Sequence, residues 1–301
     1  MSYVAIDIGG SAIKAGVVNE KGEVRFKTSI PTPMCSYEML LETLAKIVDW
    51  AKSKSDIKGI ALSQPCVTNA KSAEALSEGA LIYIKNTNPA KDLGQKFNLP
   101  YAAENDGNCA ALAEVWVGSG QQADSLALVV CGTGVGGAVV VDKKIHAGHR
   151  NFAGEFGMFV TGFTPDGTPV LWSSNGSTLA LVQEYARMTG KDSTQLNGKA
   201  IFELEAEGDE IAYKCIDQFF KTFAVGLHNI QHAYDPQLIL IGGAISERKD
   251  FVERIDRALD WLYKPLTGLM SRPNVATCAC GADANLIGAV YHLLTHSKNY
   301  S

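Results

Sequence analysis

The sequence predicts an α/β protein of two lobes, and two observations carry that prediction. An apolar run, a glycine turn and a second apolar run span 4–18, and the same plan returns at 126–141. Matching Gly9 to Gly134 gives an offset of 125 residues (134 − 9). In both halves strand patterns alternate with helix patterns, as in α/β folds. Since 301 residues exceed one ordinary core, we expect two packed lobes with an active-site cleft between them.

Composition narrows the class of protein. The chain is 46% hydrophobic and 20% charged, which is typical of a globular protein. The formal net charge of −5, without a Lys/Arg run, argues against a nucleic-acid partner. The N-terminus lacks the apolar core of a signal peptide, and the longest uncharged stretch, 126–141, is too short for a membrane helix. We expect a cytoplasmic enzyme with a small-molecule substrate and no membrane partner.

The first half continues from its hairpin into a helix and two strands. Ser36 is placed as an N-cap before apolar residues at three- and four-residue spacing, from Leu40 to Ala51. A strand is predicted at 59–62. After a short apolar strand at 101–103, Asn105-Asp106 can cap a further helix. The glycine- and polar-rich segment 118–122 is the best boundary between lobes.

The second half follows the same alternation. A long helix pattern extends from about Asp209 to Ala233 and ends before Asp235-Pro236. A strand and a glycine turn are predicted at 238–244. The last helix is predicted from Ala284 to about Leu294.

The glycine turns are candidates for holding phosphates. A phosphate chain needs converging backbone N–H groups without side chains in the way. Gly9-Gly10 is either an ordinary hairpin turn or such a site. The segment 132–137 has four glycines in six residues, which weakens a strand unless the backbone must approach a ligand closely. We expect this second turn to bind phosphate.

Five polar residues are candidates for chemistry. Asp7 ends a buried-type strand, so it either caps the turn or holds Mg²⁺. Lys14, on the return strand, has a supporting role. Asn105-Asp106 is either a plain N-cap or the place of a general base that receives a hydroxyl proton. Glu155, between glycines in an apolar loop, is either a satisfied loop carboxylate or an acceptor for two sugar hydroxyls.

Five motifs, in order, resemble the ROK family of sugar kinases, repressors and open reading frames. They cover nearly the whole chain: Asp7-Ile8-Gly9-Gly10-Ser11 with Lys14, the run from Glu104 to Glu114, the run from Gly132 to Gly137, Ala153-Gly154-Glu155-Phe156-Gly157, and the run from Ile241 to Ser246.

The resemblance implies an actin-like ATPase fold of two ribonuclease-H-like lobes. The N-terminal lobe would span 1–118, with a C-terminal helix at 284–301 returning to it, and the C-terminal lobe 119–283. It also implies a sugar kinase that uses ATP and Mg²⁺, with Asp106 as general base and with Asn105, Asp106 and Glu155 on the sugar. The implied ATP and phosphate residues are Asp7, which would hold Mg²⁺, Gly9, Gly10, Ser11, Lys14, Gly132, Thr133, Gly134, Gly136, Gly137, Gly242, Gly243 and Ala244.

Departures from the family pattern bear on the sugar. Met158 stands where many members carry a zinc-binding His, and 159–176 contains no cysteine, so we expect no zinc site. A second sugar-binding Glu has no clear counterpart. With Ser63-Gln64-Pro65 and with Trp172 as an apolar stacking surface, the chain is most similar to the β-glucoside kinase branch. A homodimer is implied as well.

Other functions stay open. N-acetylmannosamine kinase, glucokinase and fructokinase belong to the same family. A sugar-responsive repressor is disfavoured, because only six residues precede Asp7 and a DNA-binding domain would stand there. A chaperone or filament ATPase would lack a sugar loop such as 153–157. The pattern does not indicate which sugar, or which of its hydroxyls, accepts the phosphate.

Overall fold

The computed structural model describes residues 1–266 and 271–296. The chain forms two compact units. The first contains Met1–Gln122, Lys143–Ala153 and the chain from Ala279 onward. The second contains Ala123–Asp142 and Gly154–Cys278.

The strands are β1 (Ser2–Ile8), β2 (Ala12–Asn19), β3 (Val24–Pro31), β4 (Ile57–Gln64), β5 (Thr68–Asn69), β6 (Glu74–Ala75), β7 (Tyr101–Asn105), β8 (Leu126–Cys131), β9 (Val135–Val141), β10 (Lys144–Ile145), β11 (Val160–Phe163), β12 (Pro169–Leu171), β13 (Leu238–Gly242) and β14 (Val275–Thr277). The helices are α1 (Tyr37–Lys54), α2 (Pro89–Phe97), α3 (Asp106–Val117), α4 (Trp172–Gly176), α5 (Thr178–Thr189), α6 (Gly198–Ala206), α7 (Glu210–Tyr234), α8 (Phe251–Tyr263) and α9 (Ala284–His296). Short 3-10 turns occupy Phe156–Met158, Ser193–Gln195, Ala244–Glu247 and Gly281–Asp283.

The first unit is built on a sheet with strand order β3-β2-β1-β4-β7. β1 and β2 are antiparallel, whereas β1, β4 and β7 run parallel, so the carboxyl ends of these three strands share one edge. α9 packs against α3 and against all three parallel strands. The close approach of the two helices depends on Gly288, since a Cβ there would lie 1.7 Å from the carbonyl oxygen of Cys109.

The second unit repeats the hairpin and the parallel strands. β9, β8, β13 and β14 lie side by side, with β8 and β9 antiparallel and β13 parallel to both β8 and β14. Helices α4 to α8 cover the sheet around an aromatic core that includes Phe156, Phe219 and Phe223. None of the helices in the described ranges is long and apolar enough to cross a membrane.

The predicted elements are confirmed. Both glycine hairpins are present as β1–β2 and β8–β9. Ser36 caps α1 through its side chain, and Asp209 caps α7 through two backbone N–H groups. α9 begins at Ala284, as predicted, and is described to His296, two residues beyond the end near Leu294 that the apolar pattern predicts. The last part of the helix that the family resemblance implies, 297–301, lies outside the described residues.

The prediction for Trp172 is wrong. Its side chain is fully buried, packed on Phe223 and Phe159, so it offers no surface for a sugar to stack on. The physical reason lies in two glycines, Gly176 at the end of the same helix and Gly226 on α7. Any Cβ at Gly176 or Gly226 would lie about 2.3 or 2.2 Å from the indole, so both positions are small to make room for it.

Candidate active site

Asp7 lies at the carboxyl end of β1 and is held by two donors. Its Oδ1 accepts hydrogen bonds from the Ser63 hydroxyl (2.7 Å) and the Asn285 side-chain amide (3.0 Å). Ser63 is the neighbour of Asp7 on β4, and Asn285 is in the first turn of α9. The donors orient the carboxylate and offset the cost of its partial burial.

The first glycine turn is closed by its own backbone. The Gly9 N–H donates to the Ala12 carbonyl (3.1 Å), and the Thr32 hydroxyl donates to the Gly9 carbonyl (2.6 Å). The Thr32 N–H donates to the carbonyl of Ser11. Lys14 is exposed and pairs in register with Asp7.

Asn105 and Asp106 begin α3, and Asn105 is the cap. Its Oδ1 accepts the Asn108 N–H (3.1 Å), and its Nδ2 donates to the Asp106 carboxylate (3.0 Å) and to the carbonyl of Cys66 (3.1 Å). The Asp106 Oδ1 also accepts the Gly107 N–H (2.8 Å). Asp106 is the first helical residue, where the helix dipole favours a negative charge.

The strand ends bring Asp7 and Asp106 into one neighbourhood. Asp7 pairs in register with Ser63, and Ser63 pairs with Glu104, which stands two residues before Asp106. Burial raises the pKa of the Cys109 thiol well above its ordinary value. The carboxylates of Glu104, Asp7 and Asp106 raise it further. The strand register therefore places Asp7, Glu104 and Asp106 at neighbouring strand ends of one sheet.

The second glycine turn, 132–137, has open space beside part of its backbone, and the Gly132 N–H donates to the Gly134 carbonyl (2.9 Å). A Cβ at Gly132 or at Gly136 would meet nothing within 4 Å. At Gly134 a Cβ would lie 3.5 Å from the Ser173 hydroxyl, an ordinary contact. At Gly137 it would lie 2.4 Å from the Phe156 ring and 2.4 Å from the Leu128 carbonyl oxygen. Gly137 is therefore required by packing, whereas Gly132 and Gly136 leave room beside the chain.

The turn after β13 lies against the end of β8. Gly243 has φ +98°, and a Cβ there would be 2.1 Å from the Cys131 carbonyl oxygen, so only glycine fits. Gly242 abuts the thiol of Cys278, which a Cβ would approach to 3.1 Å. Ala244 follows and begins a 3-10 turn.

A cavity of about 790 Å³ lies within the second unit. Three predicted nucleotide residues, Gly132, Thr133 and Ala244, are on its wall. The rest of the lining was not predicted from the sequence and comprises Cys131, Thr178, Leu179, Val182, Ser193, Leu196, Asn197, Gly198, Lys199, Phe202, Ile245, Glu247 and Arg248. Its size and its apolar side chains are typical of a small-molecule pocket.

The far wall of this cavity combines an aromatic ring and a cation. The Arg248 guanidinium lies 3.9 Å from the centroid of the Phe202 ring and forms a two-point ion pair with Asp250. Asn197, which also lines the cavity, is the N-cap of α6. An Asn-Gly pair at the start of a helix is a local sequence pattern by which this part of the lining could have been predicted.

Glu155 lies in a loop pressed against β9. A Cβ at Gly154, whose φ is +96°, would lie 2.8 Å from the Cα of Ala138, and one at Gly157 would lie 2.2 Å from the carbonyl oxygen of Val135. The residue is exposed, yet partial burial of its carboxyl group raises the pKa above the ordinary value. The structure therefore places Glu155 beside the hairpin that carries the second glycine turn.

Relatives of the chain share its whole length. A β-glucoside kinase from Listeria monocytogenes is 32% identical over 100% of both chains. The crystal structure of a ROK family protein from Streptococcus pneumoniae in complex with sucrose is 32% identical, with a TM-score of 0.89 and 99% of each chain covered. A ROK family glucokinase from Streptomyces griseus, in complex with glucose and AMPPNP, is 25% identical, with a TM-score of 0.79 and 96% and 98% coverage.

These likenesses confirm the predicted α/β fold as the actin-like ATPase fold. The model of the ROK family matches residues 3–296, which is nearly all of the chain. With a relative above 30% identity across the full length as well, the chain belongs to the ROK family.

Proposed function

We propose that this chain, an ATP-dependent sugar kinase, transfers the γ-phosphoryl group of ATP to a hydroxyl of a β-glucoside, with Asp106 as general base. The observation that carries the reaction is the Asp106 carboxylate, fixed by two N–H donors at the start of α3, which follows a strand end on the same sheet edge as Asp7. The substrate class rests on the full-length likeness to a β-glucoside kinase and on the disaccharide bound by a similar protein.

Asp106 does the work that a sugar hydroxyl cannot do alone. A hydroxyl is a poor nucleophile at neutral pH, so it must lose its proton as it attacks. In the proposed step the hydroxyl oxygen forms a bond to the γ-phosphorus and the bond from that phosphorus to the bridging oxygen of ADP breaks. The hydroxyl proton passes to the Asp106 carboxylate. The products are a sugar phosphate and ADP.

The nucleotide is assigned mainly to the second unit. The cavity of about 790 Å³ would take the adenosine, because its wall is largely apolar and Ala244 and Phe202 line it. The open space beside Gly132 and Gly136 would take phosphates, together with Thr133 and Gly134. The N–H of Gly132 itself donates to the Gly134 carbonyl, so Gly132 would contribute space rather than a donor. Gly137, Gly242 and Gly243 shape these turns through their packing.

Asp7 is assigned to Mg²⁺. Both of its protein donors bind Oδ1, and carboxylate oxygens are the ligands that Mg²⁺ prefers. When bound, Mg²⁺ would offset charge on the phosphates. The first glycine turn, with Gly9, Gly10 and Ser11, would hold Asp7 in place, and the exposed Lys14 would add positive charge nearby.

Asn105 and Glu155 are assigned to the sugar, to different degrees. The two N–H bonds of the Asn105 amide are already used inside the protein, and its oxygen already accepts one. Its remaining capacity is the second lone pair of Oδ1. Glu155 is exposed and has a carboxylate that can accept two hydroxyls, so we expect it to contribute more sugar affinity.

ADP release in a coupled assay tests this proposal. We expect cellobiose and an aryl β-glucoside to give a higher kcat/KM than glucose, N-acetylmannosamine or fructose, and mass spectrometry to find a disaccharide phosphate. Glucose is the second candidate, because the glucokinase relative binds it. A clear preference for glucose would replace the β-glucoside assignment. ADP release that ignores every sugar would contradict the kinase mechanism itself.

A homodimer and a cytoplasmic location stay predictions from the family resemblance. Sedimentation analysis of the purified chain would measure the first. The second needs fractionation of the source cells.

A further inference from the structure

Glu104 is a buried carboxyl group beside the proposed base. It is the fourth residue of β7 and is 2% exposed. Burial raises its pKa to about 7, although the donors Asn108 and Asn105 act in the opposite direction. A charge-bearing group is rarely buried unless its hydrogen bonds matter, so the contacts of Glu104 indicate its role.

One oxygen of Glu104 collects two donors from the start of α3. Its Oε1 accepts the Asn105 backbone N–H at 2.7 Å and the Asn108 side-chain amide at 3.1 Å. Asn108 in turn donates its backbone N–H to the Asn105 side chain. Asn105 then donates its side-chain amide to Asp106. A chain of hydrogen bonds therefore runs from the buried Glu104 to the proposed base.

We propose that Glu104 is a positioning residue, which holds the first turn of α3 so that the Asp106 carboxylate keeps the orientation needed for proton transfer. This inference rests on the proposed role of Asp106. Glu104 is not itself the base, because it is buried and its Oε1 already accepts two hydrogen bonds. It acts through Asn105 and Asn108, and those contacts require an acceptor oxygen rather than a negative charge.

Two near-isosteric variants separate the acceptor from the charge. Glu104→Gln keeps an oxygen that can accept both hydrogen bonds, whereas Glu104→Met fills similar space without an acceptor. For Glu104→Met we expect kcat to fall about ten- to hundredfold, since small misplacements of catalytic groups cost that much. KM for ATP should stay within about threefold of wild type, because the groups proposed to bind the nucleotide are untouched. KM for the sugar should rise modestly, because Asn105 is displaced together with Asp106. Glu104→Gln should keep most of kcat. The assays belong at pH 8, above the pKa of about 7.

The half-buried Asn108 provides a variant that is easier to fold. Asn108→Ala removes one of the two donors, and we expect a kcat between those of wild type and Glu104→Met. A folded Glu104→Met enzyme with wild-type kcat would overturn the proposal, and so would a Glu104→Gln enzyme that loses as much as Glu104→Met. If Glu104→Met does not fold, wild-type kcat in Asn108→Ala overturns it.

Asp106→Asn in the same assay separates this proposal from the function on which it rests. If Asp106→Asn is inactive and Glu104→Met is fully active, Glu104 does not position the base. If Asp106→Asn keeps its activity, the assignment of the base has failed, and with it the reason for a positioning residue.

Discussion

The glycine turn of the first unit and that of the second unit differ in the space around their backbones. A Cβ at Gly9 would lie 2.7 Å from the carbonyl oxygen of Ala12, and one at Gly10 would lie 3.2 Å from the side chain of Ala80. At Gly132 and Gly136 of the second turn a Cβ would meet nothing within 4 Å. The first turn is packed against its own unit, whereas the second has open space beside Gly132 and Gly136. Both turns use one backbone N–H internally, from Gly9 to Ala12 and from Gly132 to Gly134.

The two units also differ in how their carboxylates are held. In the first unit, Asp7, Glu104 and Asp106 are each fixed by at least two donors. In the second unit the corresponding region has open space beside Gly132 and Gly136, an apolar cavity, and the exposed Glu155 beside the same hairpin. We infer that one repeated sequence pattern serves two purposes. The first unit would hold carboxylates for chemistry, and the second would provide room for a nucleotide.

The largest effect on kcat is expected from replacing Asp106, the proposed base in the first unit. Asp106→Asn keeps the size of the side chain and its ability to accept the Gly107 N–H, so the fold should survive. General-base catalysis is typically worth about 10²–10⁴-fold, and we expect kcat to fall by that much. The two KM values should change only modestly. Steady-state kinetics measure this, with Asp56→Asn as control, since the Asp56 side chain is 80% exposed in the same unit. Retention of more than about a tenth of kcat would move the base elsewhere.

Glu155→Gln tests the charged group of the second unit. We expect KM for the sugar to rise more than KM for ATP, because the lost acceptor serves the sugar. Hydrogen bonds to a charged group are worth about 1.5–3 kcal/mol, which is roughly ten- to hundredfold in KM. Glu253→Gln, whose side chain is exposed and paired with Arg257, is the matched control. Equal changes in both KM values would remove Glu155 from the sugar site.

The pH dependence of sugar binding sharpens the same assignment. Partial burial raises the pKa of Glu155, so its carboxylate takes up a proton at a higher pH than an ordinary Glu does. As the pH is lowered, KM for the sugar should therefore begin to increase while the pH is still higher than 4.5, the ordinary pKa of a Glu side chain. The Glu155→Gln enzyme should lack this rise, and a rise of the same size in both enzymes would assign it to another group.

Two glycine substitutions in the second turn compare a position with open space, Gly132, with a tightly packed one, Gly137. Gly132→Ala should leave the unfolding temperature unchanged but raise KM for ATP by roughly tenfold, about 1.4 kcal/mol, because the new methyl occupies the space assigned to phosphate. Gly137→Ala should destabilise the fold by about 1–3 kcal/mol, since its Cβ would clash with Phe156 and Leu128. Thermal unfolding and ATP titrations measure both effects. Equal changes in unfolding temperature and in KM for ATP in the two variants would contradict the assignment of phosphate to the space beside Gly132.

The smallest effect on stability is expected from a zinc chelator, because we expect the chain to hold no structural zinc. By the family resemblance, Met158 stands where many members carry a zinc-binding His. Its side chain is 67% exposed, and 159–176 contains no cysteine. We expect purified protein to contain well under one zinc per chain and to keep its unfolding temperature in a zinc chelator. By contrast, a chelator that also removes Mg²⁺ should abolish sugar-dependent ADP release. A stoichiometric zinc that the chelator releases with loss of structure would contradict this.

Local patterns were sufficient to predict the elements that carry the site. Ser36 and Asp209 cap helices because their side chains reach N–H groups two or three residues ahead, which sequence spacing records. Asn105 was predicted on the same grounds. The two hairpins follow from apolar runs on either side of glycine. Such interactions lie within a few residues, so one sequence is enough.

Contacts between distant residues were not predictable. Asn285 donates to Asp7 across 278 positions, and no local pattern connects them. The buried Glu114 accepts the N–H groups of Ser119, Ala279 and Cys280, although α3 reads as an ordinary helix. The error at Trp172 has the same origin, because its burial depends on Gly226 on another helix. An aromatic residue in a sequence does not indicate whether its surface stays open.

Nucleotide binding by three proteins tests the division between the units most directly. Calorimetric titration of Mg·AMPPNP into wild type, Asp106→Asn and Gly132→Ala separates binding from chemistry, because no phosphoryl transfer occurs. The account predicts the same Kd for wild type and Asp106→Asn, and a Kd roughly tenfold higher, about 1.4 kcal/mol, for Gly132→Ala. Weakened binding in Asp106→Asn, or wild-type binding in Gly132→Ala, would contradict it.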